Sequence, residues 1–331
     1  MPSDDVNHAD PFTSPDVAAQ LLVETAGSTR AQARRTAAAV LLGLEGEVPA
    51  FAVLADIATA LGLGGQPQAS VALANVRDAW ANVPAAAALL DVVFDRAVGV
   101  LDGFDGAAWT DTVVDALAPA SASASDRRLI AGMVRAALDR ADDKAKGADE
   151  ESPITRRRRR RDSRLILARS AAVGDVAGPL GQRATQLVEE SAQAGEFVVP
   201  RGRSVPALRQ VWPSNMPALD DTRLIRLAAR LSDGAAASAS GELYSTRMPI
   251  VDAVRLALGS TMPSQRFTAD DVKRLVQIRF PGVDVVPGRP GLDRVLAEAG
   301  TGLTWDGDGY SIPSAHSDTT FVTQTSFPTI P

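Results

Sequence analysis

The stretch TADDVKRLVQIRFPGVDVVPGRPGLDRVLAEAGTGLTWDGDGYSI, Thr268 to Ile312, decides how the chain is read. Thr268 with Asp271 three residues on is a capping-box start, and the helix it opens carries Val272, Leu275, Val276 and Ile278. Pro281 ends that helix. Pro290 starts another with Leu292, Val295 and Leu296 on one side, and Gly300 is the expected stop. Leu303-Thr304-Trp305 and Tyr310-Ser311-Ile312 then flank Asp306-Gly307-Asp308-Gly309, a turn of residues that tolerate positive φ, so the pair reads as a β-hairpin.

Helix, helix, hairpin is the order of a winged-helix unit, and residues 261–313 are read as one. Towards the N-terminus, Pro249 to Leu258 and Leu219 to Leu231 are helical, the latter with Asp220 or Asp221 at its start. A helix at about 179–194 ends at Gly195 and separates two short strand candidates, Leu165 to Ala168 and Glu196 to Pro200, which could pair across it. Residues 164–260 are therefore expected to form a basic α+β domain. Residues 85–146 read as a second helical, winged-helix-like domain, with helices at about 85–101, 107–117 and 126–141, the last capped by Ser125 or Asp126.

Residues 14–84 read as a helical, helix-turn-helix domain. Helices are expected at about 15–26, with Ser14 as N-cap and Pro15 first, and at about 30–42, from Thr29 to Gly43. Ala50 to Leu61 is a short helix, Gly62-Leu63-Gly64-Gly65-Gln66-Pro67 a turn, and Ala69 to Asn82 a second helix with Val76 and Trp80 inward. Residues 1–13 and 314–331 lack a core-forming pattern and are expected to be disordered tails. The fold class is mainly α: tandem helix-turn-helix and winged-helix units with short β-hairpins.

Composition excludes much chemistry. The 331 residues contain no cysteine, which removes disulfides, thiolate metal sites and cysteine nucleophiles. The two histidines, His8 and His316, fall in the expected tails, so no metal, cofactor or catalytic residue is assigned and the expectation is a non-enzyme. Aromatic residues make up 5%, so the core rests on Ala, Leu and Val. The start Met1-Pro2-Ser3-Asp4-Asp5 lacks a basic n-region and apolar h-region, and apolar runs stop short of the ~18 residues a membrane span needs. A cytoplasmic protein is expected, with no membrane partner and no small-molecule substrate.

Charge is unevenly spread. Of 34 cationic residues only Lys144, Lys146 and Lys273 are lysines, and the chain carries a net −6. Pro153 to Arg230 holds fifteen arginines against seven acids, a net of +8 that leaves −14 on the rest. Its loudest feature is Arg156, Arg157, Arg158, Arg159, Arg160 and Arg161, followed by Arg164, at the end of a charged stretch, 147–163, read as a linker. Six adjacent guanidinium groups must be solvated or matched to an anion. Nucleic acid is one candidate partner; an acidic surface of this protein or of a partner is the other. Residues 84–146 carry seven cations against ten aspartates, which suits a protein partner better than a phosphate backbone.

The helix from Ala69 would offer Gln68, Ser70, Asn75 and Arg77 to base edges or phosphates, a set with a single cation. A helical hairpin packed for stability alone is the competing reading. Asp306 to Gly309 lacks the remaining ligands of a calcium loop, and no glycine-rich element has the context of a phosphate cradle. Trp80, Trp109, Trp212 and Trp305 read as core residues and not as stacking platforms.

Leu54-Ala55-Asp56-Ile57-Ala58 through Leu61-Gly62-Leu63, with Val71 and Val76 to Pro84, resembles the helix-turn-helix of bacterial phage-defence proteins of the Pgl and BREX type. Asp220 to Ala229 with Glu242 to Pro249, and Val272 to Pro281 with Arg289 to Asp293 and Trp305-Asp306, are similar to the non-kinase C-terminal region of the Pgl kinase W. The similarity spans about residues 40–313 and is specific mainly in the order of its motifs. It implies tandem helix-turn-helix and winged-helix units in an anti-phage system. No kinase glycine loop, His-Arg-Asp or Asp-Phe-Gly is present, so kinase activity does not carry over. The expectation is a non-catalytic defence component that binds DNA through the arginine run and meets defence-system proteins through its acidic arms, or else a protein scaffold without direct DNA contact.

Overall fold

A computed structural model of the chain describes residues 10–27, 31–46, 48–159, 164–259 and 265–313. Its first four helices, α1 (Pro15–Thr25), α2 (Gln32–Leu42), α3 (Leu54–Ala60) and α4 (Gln66–Asn82), gather around Trp80. Ala69, Leu73, Val76 and Trp80 recur at the helical period and form the buried stripe of α4, and the Trp80 indole Nε1 donates to the Leu22 carbonyl at 2.7 Å. Ser14 makes no side-chain cap bond, and Thr29 lies outside the described residues.

Two expectations change here. Phe12 is 4% exposed and belongs to this core, so the tail expected at 1–13 does not extend over residues 10–13, where ring burial orders the chain. The helix expected from Ala50 begins only at Leu54, because the Ala50 and Ala52 carbonyls accept from Arg135 Nη1 at 2.7 and 3.3 Å. Those acceptors serve a side chain instead of a helical ladder.

The next unit runs α5 (Pro84–Gly103), β1 (Ala107–Trp109), α6 (Thr110–Leu117), α7 (Ala124–Gly147), β2 (Thr155–Arg158) and β3 (Leu165–Ala168). The helix expected at 107–117 therefore opens with a strand, and the cap of α7 is Ser123, in a capping box with Asp126. The three strands form one antiparallel sheet in the order β1-β3-β2, with Ala168 between Ala107 and Thr155. Helix, strand, two helices and a hairpin whose second strand lies centrally define a winged helix.

The unit thus extends past 146 to residue 168. Residues 147–163 are not simply a linker: α7 reaches Gly147, and Thr155 to Arg158 is an edge strand whose pairing with β3 fills its backbone bonds on that side. Leu165 to Ala168 does not pair with the strand near Val198, because β1 and β2 already flank it.

The same order recurs twice. α8 (Ala171–Gln193), β4 (Val198–Val199), α9 (Arg201–Arg209), α10 (Asp221–Leu231), β5 (Ala235–Ala237) and β6 (Leu243–Ser245) form a sheet ordered β4-β6-β5. Residues 164–260 are therefore not one domain: β3 belongs to the preceding unit, and α9 had no counterpart in the sequence reading. The third unit comprises α11 (Ile250–Leu258), an isolated bridge at Phe267, α12 (Ala269–Arg279), α13 (Gly291–Glu298), β7 (Thr304–Trp305) and β8 (Tyr310–Ser311). It begins at α11 and not at 261, because Val254 and Leu258 share a core with Val272, Leu292 and Leu296. Thr268 and Asp271 make the expected capping box, and Asp306 to Gly309 is the expected hairpin turn, with Asp306 Oδ1 accepting from the Asp308 and Gly309 amides.

Strand alternation joins the units. Leu167 faces the core of α1–α7, while Ile166 and Ala168 face the core of the second winged unit. In β6, Leu243 faces that second core and Tyr244 the third. Each of these sheets is a wall shared by two cores. Thirteen helices outweigh eight short strands among the described residues, so the molecule is mainly α.

Candidate nucleic-acid interface

Arg156 to Arg158, the start of the arginine run, belong to β2, the second strand of the first winged unit, and Arg159 follows it. Strand alternation sends its side chains to opposite faces. Arg156 turns to α7, where Nη1 donates to Asp139 Oδ1 at 2.6 Å and Nη2 to Asp142. Arg157 turns to α8 and donates to Asp175 Oδ1 at 2.6 Å. Arg158 returns to the first side and donates to the Phe51 carbonyl at 2.8 Å. Burial would lower the Arg156 pKa, but the Asp139 and Asp142 carboxylates outweigh it and hold the guanidinium above its ordinary value.

Arg159 and Arg164 close the base of the wing. Their guanidinium carbons lie 4.9 and 4.1 Å from the Trp109 ring centroid, and both donate to Asp233, Arg164 Nη1 to Oδ1 at 2.8 Å. Asp233 follows α10, in the second winged unit. Arg160 and Arg161 lie outside the described residues.

In winged-helix order α7 holds the place of the groove-reading helix, yet it is covered. Gly132 sits against α2 so closely that a Cβ there would lie 2.6 Å from Leu42 Cα. Arg135, on the next turn, bonds the Ala50 carbonyl, and burial lowers its pKa against the opposing pull of Asp139. The corresponding α10 packs on α8, α9 and β1, with Arg223 Nε bonded to Asp105 at 2.6 Å.

The polar face of α4 remains outward. Gln68, Ser70 and Asn75 are exposed, and Val71 among them is 61% exposed. Gln68 Oε1 accepts from the Gly64 amide at 2.7 Å, which fixes the side chain across the turn. Arg77 departs from this set: its Nε donates to Asp143 on α7 at 2.8 Å, so its charge is matched within the chain. Gln68, Ser70 and Asn75 are uncharged, and Asp78, further along α4, is exposed and acidic.

The wing and the helix-turn-helix meet. The Arg158 bond to Phe51 lies just before α3, and an open cavity of about 430 Å³ there is bordered by Phe51, Val53, Asp56, Thr110, Arg158 and Arg164. Arg158 and Arg164 thus lie beside the entry of α3, the helix before α4, while Arg156 and Arg77 are paired with aspartates of α7. Sequence reasoning missed Asp139, Asp142, Asp175 and Asp233 as partners of the run. A surplus of aspartates in 84–146 was the only signal, and it could not say which of them faced the wing.

Trp80, Trp109 and Trp212 are buried, while Trp305 carries the Arg289 guanidinium 4.0 Å from its ring centroid. Among the described residues no group of three or more His, Asp or Glu side chains could hold a metal ion, and no helix is long and apolar enough to cross a membrane. The fold defines a class: a helix-turn-helix unit followed by three winged-helix units, the first two of which each share a sheet with the next core. No family model, curated protein or solved structure matches the chain.

Proposed function

We propose that the chain is a non-catalytic, cytoplasmic component of a bacterial anti-phage defence system and binds duplex DNA through a composite surface. The α4 face of Gln68, Ser70 and Asn75 supplies base-edge contacts. The arginine wing supplies the phosphate contacts that this helix lacks. The observation that supports it best is the bond from Arg158 to Phe51, which ties the wing to the entry of α3. The resemblance of the α3–α4 residues and of the two C-terminal segments to Pgl and BREX proteins supports the defence setting.

A salt titration of duplex binding tests it. Log affinity is expected to fall linearly with log salt, and Arg160→Ala with Arg161→Ala to shrink that slope by about 2, near one unit per phosphate contact. Arg156 is left intact in this test because its charge is used against α7. Absence of binding at low salt would sink the proposal.

The second reading is a protein scaffold within the same system. The pairing of Arg156, Arg157, Arg159 and Arg164 with Asp139, Asp142, Asp175 and Asp233 favours it, since those cations already have anions. A scaffold would show no salt-dependent DNA affinity and would retain partner binding in the Arg160→Ala, Arg161→Ala protein.

A further inference from the structure

Asp233 is held in an unusual way for a surface carboxylate. Its two oxygens are split between two arginines from the base of one wing, Oδ1 on Arg164 and Oδ2 on Arg159. Both guanidinium groups lie over one indole, Trp109, which is 3% exposed and anchored in β1. Stacking on a fixed ring restrains both cations before any anion arrives, so little side-chain freedom is left to lose on binding. A guanidinium fork donates to carboxylate and phosphate oxygens in the same planar geometry.

The position of the carboxylate matters as much as its partners. Asp233 lies in the short turn between α10 and β5, and its side chain is 41% exposed. The side chains of Arg159 and Arg164 are 24% and 37% exposed, so a polymer can approach the pair from solvent. Ion pairs this exposed add little stability, which makes the internal carboxylate a weakly held ligand. Arg159 and Arg164 have other partners as well, and the Asp233 oxygens are the ones an entering phosphate replaces.

We propose that Arg159, Arg164 and Trp109 form an anion pincer in which Asp233 stands in for a phosphate and exchanges with a backbone phosphate of duplex nucleic acid. The inference rests on the DNA-binding reading above and adds a site and a mechanism to it. It also couples the units, because the arginines belong to the first winged unit and Asp233 to the second. Phosphate entry therefore removes one tie between them.

The full chain carrying Asp233→Asn tests the exchange by fluorescence anisotropy on a labelled duplex over a salt series. Removing the competing carboxylate is expected to tighten binding about tenfold at low salt and to steepen the log–log slope by about 1. Asp233→Glu, which restores the carboxylate, is expected to return both towards the parent values, a rescue that a general effect on folding would not give. If the parent binds DNA and Asp233→Asn matches it in affinity and slope, the pincer is a structural clasp and this proposal is overturned alone. If neither protein binds DNA at low salt, the reading beneath it falls too. Tighter capture of a phosphoserine peptide than of duplex DNA by Asp233→Asn would assign the pincer to a phosphoprotein and overturn the nucleic-acid assignment.

Discussion

Arg156 sits between two carboxylates whose side chains are only 14% and 18% exposed, while the Arg157–Asp175 pair beside it is 42% and 66% exposed. Neighbours in sequence therefore carry different energetic weight. Removing Arg156 strands Asp139 and Asp142 in a half-buried site, and breaking such pairs is costly because an uncompensated charge stays behind. Arg156→Ala is expected to lower stability by about 3 kcal/mol. Arg157→Ala is expected to change it by about 0.5 kcal/mol at most. Urea denaturation of the two proteins checks the contrast, and equal losses would contradict it. The alternation that produces it is a property of β2, which the charge run concealed: six arginines read as a solvated linker because no apolar residue marks the strand. The apolar partner strand, Leu165 to Ala168, was legible for the opposite reason.

At the scale of elements, the α2–α7 contact decides which helix stays available. Gly132 is buried mid-helix in α7, and its missing side chain lets the Leu42 backbone approach. Gly132→Val would place atoms where α2 already lies, and the clash is with backbone, which cannot turn aside. The expected loss is about 3 kcal/mol, with a lower thermal midpoint read by circular dichroism. The Thr268 box and the Asp306 to Gly309 turn were readable, since they depend on neighbouring residues, whereas Ser14 makes no cap bond and the cap of α7 is Ser123 and not Ser125 or Asp126. The covering of α7 was not, because Gly132 and Leu42 are ninety residues apart and neither carries a local signal of the other.

Across the whole molecule, the shared sheets make the units interdependent. Tyr244 belongs to the second unit's sheet but is fully buried in the third unit's core. Its ring meets Phe280 edge-on at 5.1 Å, and its hydroxyl accepts from the Gly282 amide at 2.8 Å. Tyr244→Ala is expected to cost about 4 kcal/mol and to split calorimetric unfolding into two transitions, the third unit melting first. A single transition would mean that the units are joined chiefly by other contacts. The first two units are joined by a shared sheet as well, through Trp109, Ile166 and Ala168 in the second core, and there ion pairs are added, Arg223 to Asp105 and the Arg159–Arg164 grip on Asp233.

By itself the sequence determined most of the helices (though not α9), the mainly α class, the C-terminal capping box and hairpin, and the concentration of positive charge around residue 156. These follow from interactions a few residues long: helical periodicity, caps, turn chemistry and composition. Only the tertiary structure decided that Arg156 to Arg158 lie in a strand, that Arg77 and Arg156 direct their charge at α7, that α2 covers α7, and that Asp233 lies between Arg159 and Arg164. Each of those outcomes pairs groups far apart in the chain. A guanidinium carries no mark of which carboxylate it will meet until the cores on both sides of a sheet have been packed.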